Sequence, residues 1–391
     1  MKQLLTLLLF LVFISQIISQ TRYDVKFVLE GKQRESIIVR PSTPPPIGGY
    51  PVVFMLHGTS GDGEKFYNIS GWKELGEQEN FITVFPSSLS WCFIEDGLEK
   101  NNTRWVNGNV TEYPCSGPAQ NYVDDVRFLK VLAKAIKDTF PVNTSKIFAC
   151  GFSNGCSMIH KLAVDAGDVF SALAGTSSVL SPTDSSTPVT RVPLWTMVGS
   201  LDDRFIVPPY TELPYGGDSI LTYLKYHLNR VIGSQGLIPN FIKTETTNMH
   251  TYEYNESQVG QNSKRYIFSL VKDMTHEFPN GSNHPVDGPR IFWNFFKQSV
   301  TLGTKNLKIL DPNIQIFPNP SSEAIHFEFL NDAEVVNLDV SIFNIQGQLI
   351  YHQTTKELNS ITINKLDIGT GIFNVRIQTA KNLISKKIVF Y

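Results

Sequence analysis

The stretch Ile147–Phe148–Ala149–Cys150–Gly151–Phe152–Ser153–Asn154–Gly155 decides the fold. Its first four residues form a continuous apolar run, as a buried strand requires, and Cys156 to Ala166 beyond it is helix-capable. Between strand and helix stands Gly-x-Ser-x-Gly. In that context the two glycines let strand and helix approach closely, and the serine is forced into strained backbone with its hydroxyl free at the carboxyl edge of a sheet. A serine hydroxyl is a poor nucleophile at neutral pH. The turn therefore carries chemistry only alongside a base, an orienting acid and donors for an oxyanion.

Outward from this turn, strand-like and helix-like runs alternate from Tyr23 to about Val300. Val52 to Leu56 and Ile82 to Phe85 read as buried strands, the first ending in His57–Gly58 and the second stopping at Pro86. Within Asn121 to Phe140 the residues Val126, Leu129, Leu132, Ile136 and Phe140 fall three or four apart, a helix stripe. Downstream come a strand over Pro193 to Val198, a helix over Ser219 to Val231, a strand over Arg265 to Val271 and a closing helix over Pro289 to Gln298. This alternation predicts an α/β fold with a mostly parallel, doubly wound sheet covered on both faces. From Ser87 to Gln120 the pattern fails. That stretch is rich in Asn, Gly and Ser but carries Trp91, Phe93 and Trp105, and it is expected as a cap or substrate wall over the edge that bears Ser153.

The partners of Ser153 follow from chain order, which in α/β-hydrolases is Ser, then acid, then His. The strand ending at Val198 runs into Gly199–Ser200–Leu201–Asp202–Asp203, so Asp202 is the expected acid and Asp203 the fallback. His276, just beyond the strand over Arg265 to Val271, is the expected base, with His284 the alternative. The oxyanion donors are expected to be the backbone N–H groups of Asn154, directly after the nucleophile, and of Thr59, in the turn after an early strand. Asp124 and Asp125 stand at the start of a helix, where carboxylates suit the helix dipole, and are given no catalytic part.

These pieces together resemble the secreted polyhydroxybutyrate depolymerase-like and feruloyl esterases. Leu56–His57–Gly58 is similar to their oxyanion segment, and Trp91, Cys115–Ser116–Gly117–Pro118–Ala119 and Val123–Asp124–Asp125–Val126 follow in the family's order. Gly151–Phe152–Ser153–Asn154–Gly155 resembles their elbow, Gly199–Ser200–Leu201–Asp202 their acid turn, and Thr275–His276–Glu277–Phe278–Pro279 their histidine turn. Val198 stands where the family's acid turn has histidine, and Phe278 where its histidine turn has tryptophan. The resemblance spans roughly Tyr23 to Val300. It implies a serine carboxylic-ester hydrolase without metal or cofactor, acting on feruloyl or acetyl esters of plant polysaccharide, with the aromatic loop gripping the substrate. Polyhydroxybutyrate is the alternative substrate. A peptidase using the same triad and a non-catalytic binding protein on a hydrolase scaffold are the other classes.

The composition suits an exported globular chain. Of 391 residues, 41% are hydrophobic and 18% charged, and the formal net charge of −2 offers no basic surface for nucleic acid. Lys2 followed by the predominantly apolar Leu4 to Ile18 is expected as a signal peptide over residues 1–20, too short for a stable membrane span. Six Asn-x-Ser/Thr sequons begin at Asn68, Asn101, Asn109, Asn143, Asn255 and Asn280. Four cysteines in an exported chain invite disulfides. Cys92 and Cys115 flank the aromatic loop, which a bridge would staple, whereas Cys150 and Cys156 bracket the elbow and read as small buried residues.

The hydrolase domain is expected over 21–300, a linker over 301–312 and a β-sandwich over 313–391. Alternation in Leu338 to Phe343 and Phe373 to Ile377 marks half-buried antiparallel strands. This tail resembles the C-terminal sorting domain of proteins exported by the type IX system, through Phe317–Pro318–Asn319–Pro320–Ser321, the Gly347 turn, Leu366 to Gly371 and Lys386–Lys387–Ile388. The resemblance implies a partner in that machinery and a secreted or cell-surface location. The rival, a polymer-binding module, would offer aromatic platforms, and the tail has no Trp.

Overall fold

The computed structural model describes residues 20–95, 97–107, 114–180, 188, 190–256, 264–302, 314–329, 338–344, 348–355, 360–378 and 383–391. The expected signal peptide (save residue 20), the sequon at Asn109, residues 303–312 of the expected linker and Gly347 lie outside them. The chain forms two compact units, Met1–Leu302 and Gly303–Tyr391.

The first unit opens with strands β1 (Thr21–Leu29), β2 (Lys32–Arg40) and β3 (Tyr50–Leu56), then helices α1 (Gly63–Ile69) and α2 (Trp72–Glu79). Strands β4 (Ile82–Ser87), β5 (Ser90–Glu95) and β6 (Leu98–Thr103) precede α3 (Asp125–Thr139). Next come β7 (Val142–Phe152), α4 (Asn154–Asp165), β8 (Ala172–Thr176), β9 (Leu194–Gly199), α5 (Ser219–Tyr223) and α6 (Lys225–Ser234). Strands β10 (Phe241–Glu245), β11 (Met249–Tyr254) and β12 (Tyr266–Val271) and helix α7 (Gly288–Leu302) close the unit.

Ten strands make one sheet in the order β1-β2-β4-β3-β7-β8-β9-β12-β11-β10. The inner six, β4 to β12 in that order, pair in parallel, and the two at each flank pair antiparallel. Burial explains the division. All seven residues of β3 and all six of β12 are buried, as strands covered on both faces must be, whereas β1 alternates half-buried with exposed. Val52, Phe54 and Leu56 pack beneath α3, α4 and α6, while Val53 and Met55 point to the other face, under α1, α2 and α7. On α3 the expected Val126, Leu129, Leu132 and Ile136 are buried, Phe140 is the half-buried residue just past its end, and Asp124 caps its start by accepting from Arg127 N–H at 2.9 Å.

Several elements differ from expectation. The helix expected over Ser219 to Val231 is two, α5 and α6, meeting at Leu224. Helix α7 runs on to Leu302, two residues into the expected linker. The stretch Ser87 to Gln120 is not simply loop: β5 and β6 form a hairpin, stapled to the following segment by a Cys92–Cys115 disulfide with its Cα atoms 5.6 Å apart. Leu-Glu-Lys-Asn-Asn-Thr on β6 has no apolar alternation, so the hairpin leaves no period-2 trace. Cys150 and Cys156 are free and buried.

The second unit is a two-sheet sandwich. Strands β13 (Ile314–Phe317), β14 (Ala324–Phe329) and β17 (Ser360–Asn364) form one sheet. The other contains β16 (Leu349–Thr355), β15 (Leu338–Phe343), β18 (Gly371–Gln378) and β19 (Leu383–Phe390). Inward residues of both sheets, among them Phe327, Ile363, Ile342, Val375 and Ile388, share one core. Asn319 of the Pro-Asn-Pro turn binds β19 like a strand residue, its Nδ2 donating to Lys387 O and its Oδ1 accepting from Val389 N–H, both at 2.9 Å.

Candidate active site

Ser153 sits between β7 and α4 with φ 51° and ψ −121°. A non-glycine residue is costly there, and the flanking packing holds it in place. A Cβ on Gly151 would lie 2.4 Å from Gly155 O, and one on Gly155 2.3 Å from Leu56 O, so both glycines are required by close approach rather than by positive φ. The Ser153 N–H donates to Thr176 O at 2.9 Å, tying the elbow to β8. Ser60, Ser177 and Asp273 also have φ near 60° and, like Ser153, follow strands at their carboxyl ends. Backbone strain thus gathers along the edge where the site lies.

The acid and base arrive from β9 and β12, which are neighbours in the sheet. Their following turns are stitched together: Leu201 N–H donates to Met274 O at 3.0 Å and Asp273 N–H to Ser200 Oγ at 2.9 Å. A Cβ on Gly199 would lie 2.0 Å from Met274 O, so only glycine allows this approach. The result is a chain of three side chains. Ser153 Oγ lies 2.9 Å from His276 Nε2, and His276 Nδ1 lies 2.9 Å from Asp202 Oδ1. Asp202 is fully buried, whereas the His276 side chain is 24% exposed. Asp202 Oδ1 also accepts from Arg204 N–H at 3.1 Å, and its Oδ2 has no partner among the described residues.

The alternatives lie elsewhere. The Asp203 side chain points outward, 80% exposed. His284 is engaged on both nitrogens, with Lys272 O at 3.0 Å and Val286 N–H at 3.1 Å. Asp202, Asp203 and His276 also present ligand atoms within 4.8 Å of one another, but two of the three are already bound to each other within the Ser153 chain.

The expected oxyanion residues flank the elbow. Asn154 opens α4, so its N–H has no intrahelical acceptor. Thr59 follows β3, and the turn that carries it is pinned by the buried His57. Nδ1 of His57 donates to Gly58 O at 2.7 Å, so Nε2 is the bare nitrogen and accepts from Ser88 N–H at 3.0 Å. Burial pushes the His57 pKa down to about 4, which keeps that tautomer neutral.

Trp91, Phe93 and Trp105, expected as a substrate wall, are in the interior at 6%, 1% and 0% exposure. Trp91 packs against Tyr122 with centroids 5.1 Å apart, Phe93 lies under the Arg104 guanidinium at 4.3 Å, and Trp105 bonds to the site's own loops. Among the described residues these three rings are packed inside rather than exposed as the expected wall, and the expectation is corrected accordingly. The half-buried aromatic next to the triad is Phe152, whose ring is 5.1 Å from that of His276 and packs on Phe66. Sequence reasoning missed it, although its place inside the motif, directly before the nucleophile, was the available signal. Sequence reasoning also missed the buried ion pair of Arg34 with Asp125, 2.6 Å, because 91 residues separate its members.

A strained serine, a histidine and an acid carried on three strands of this mostly parallel sheet define the α/β-hydrolase class. Residues 30–256 match the family model described as "Putative esterase", and the chain belongs to that family and is an esterase. The match ends before His276. Residues 315–391 match the model described as a secretion system C-terminal sorting domain, which directs the protein by type IX secretion to the extracellular space or the cell surface. No curated protein sequence matches the chain. Among solved structures the chain is similar to an acetyl xylan esterase from Aspergillus awamori, at 16% identity and TM-score 0.42, over 73% of this chain and 100% of that one. It is also similar to an S-formylglutathione hydrolase from Agrobacterium tumefaciens, at 9% identity and TM-score 0.45, over 72% and 95%. A ferulic acid esterase from Anaeromyces mucronatus aligns at 12% identity and TM-score 0.40, over 74% and 93%. No helix among the described residues is long and apolar enough to cross a membrane.

Proposed function

We propose that the protein is a secreted serine carboxylic-ester hydrolase in which Ser153, His276 and Asp202 form the catalytic triad. The observation that carries this reading is the Ser153 Oγ to His276 Nε2 distance of 2.9 Å at a serine held in strained backbone. Ser153 attacks the ester carbonyl while His276 Nε2 takes its proton, and Asp202 holds Nδ1–H and stabilises the imidazolium. The N–H groups of Asn154 and Thr59 receive the developing oxyanion. His276 then protonates the leaving alcohol, and a water activated by the same histidine frees the acid from the acyl-enzyme. Replacing Ser153 by Ala is expected to abolish turnover of nitrophenyl acyl esters and labelling by a fluorophosphonate. Activity that survives the substitution would remove Ser153 from the mechanism.

The substrate we propose is a feruloyl or acetyl ester on plant polysaccharide. Support comes from the ordered series of family-like segments from Leu56 to Pro279, and from the apolar wall that Phe152 offers beside His276. Release of ferulate or acetate from arabinoxylan is the expected result. Clearing of polyester films without such release would replace this substrate with polyhydroxybutyrate.

A further inference from the structure

Thr59 and Asn154 follow neighbouring strands, β3 and β7, but no bond within either turn sets the distance between their N–H groups. One short segment touches both turns. On the Thr59 side, Thr103 O accepts from Ser60 N–H at 3.0 Å, Thr103 Oγ1 donates to Gly61 O at 2.5 Å, and Trp105 Nε1–H donates to His57 O at 2.9 Å. These bonds bracket Thr59 from both directions along the chain. On the other side, Trp105 N–H donates to Asn154 Oδ1 at 2.6 Å and Asn107 Nδ2 to Asn154 O at 3.4 Å. Asn154 Nδ2 is buried without a partner among the described residues, so the Asn154 side chain is held through its oxygen alone.

Resting on the proposed triad and oxyanion pair, we propose that Thr103–Asn107 sets the spacing of the two oxyanion donors, with Trp105 as the positioning residue. Trp105 uses its backbone N–H on one turn and its indole N–H on the other. The ring is wholly buried and tilted against His57 with centroids 5.0 Å apart, so the link between the two turns is short and stiff. The segment has its own anchors. Arg104 N–H donates to Leu89 O at 2.9 Å, and Val106 N–H to Asp125 Oδ2 at 2.7 Å. Asp125 Oδ1 is held by Arg34 at 2.6 Å, and the Arg34 guanidinium lies 3.7 Å over the Phe128 ring. The spacing is thus referred back to β2 and α3, outside both turns.

Oxyanion donors act by converging on one point, and a displacement near 1 Å costs up to roughly a hundredfold in rate. The test uses the full chain with Trp105→Phe, which keeps an aromatic ring and the backbone N–H but loses the indole donor, and Thr103→Val, which removes only the hydroxyl. Readouts are nitrophenyl acetate kinetics, inhibition by a phenylboronic acid that forms a tetrahedral adduct on serine, and thermal unfolding. Trp105→Phe is expected to lower kcat by about tenfold to a hundredfold with KM within about twofold, and to weaken the boronate by the same factor. Thr103→Val is expected to do the same in smaller measure, with the pH midpoint of kcat/KM unmoved in both. A fall in melting temperature with wild-type kcat in the folded protein would overturn the proposal, as would a kcat loss that leaves boronate affinity untouched. If instead wild-type enzyme ignores the boronate and Ser153→Ala stays active, the triad reading itself has failed.

Discussion

The elbow at Ser153 and the clamp at Trp105 meet at Asn154, yet they are built by opposite means. The elbow is a backbone device. Gly151 and Gly155 remove side chains where β7, α4 and β3 crowd, and the Ser153 N–H bonds to the next strand. The residues that shape it lie within a few positions of one another, against backbone supplied by β3 and β8. The clamp is a side-chain device assembled from β2, the end of β6, α3 and the elbow, through Arg34, Trp105, Asp125 and Asn154. The first places a reactive group, and the second fixes its surroundings. Damage to them should therefore read out differently.

The largest separation is expected from paired substitutions of the two buried carboxylates. Asp202→Asn leaves the packing but removes the carboxylate charge and introduces an NH2 donor that bonds the wrong tautomer of His276, so kcat should fall by about 10⁴-fold with the melting temperature little changed. Asp125→Ala should act first on stability, leaving Arg34 buried and unpaired and costing about 3–5 kcal/mol in urea unfolding, with a fall in kcat of the folded protein no larger than that of Trp105→Phe. If Asp125→Ala unfolds no more readily than wild type, the clamp is not the structural strut described above. If Asp202→Asn loses stability rather than rate, the acid turn belongs with the clamp.

A smaller effect tests the pin on the Thr59 turn. Folded His57 has a pKa of about 4, below its ordinary 6.5, because burial penalises the charged ring. Between those values the unfolded chain binds a proton that the folded one refuses. Stability from this group is therefore complete above pH 6.5 and declines as pH falls towards 4, by at most about 3 kcal/mol. Denaturation curves at pH 7, 5.5 and 4.5 should show this slope, and His57→Gln should flatten it. His160, also buried and pushed down to about 3, retains a share of the slope in the variant. An identical slope in His57→Gln would show that His57 contributes nothing to it.

Legibility in the sequence followed the same division. The elbow, the α3 stripe and the two tail strands over Leu338 to Phe343 and Phe373 to Ile377 were readable because each is set by residues close together in the chain. The hairpin β5–β6 was not, since β6 holds Leu98 as its one apolar residue and shows no alternation, although Cys92 and Cys115 marked the staple beside it. The aromatic residues around it were visible, but their direction was not. Composition cannot distinguish a ring that faces a ligand from one that bonds two loops from beneath.

What the sequence determined by itself was the order of parts: a strand, a glycine-flanked serine, an acid turn, a histidine turn and a tail of alternating strands. Spacing and turn chemistry act locally, so they can be read without a fold. Only the tertiary structure decided that Asp202 rather than Asp203 faces His276, that Trp105 lies inside, and that Arg34 reaches Asp125. Those choices depend on which strands become neighbours and on where buried charges and donors find partners. The turn at Ser153 is written in its own five residues, and the distances around its hydroxyl were set by residues up to 123 positions away.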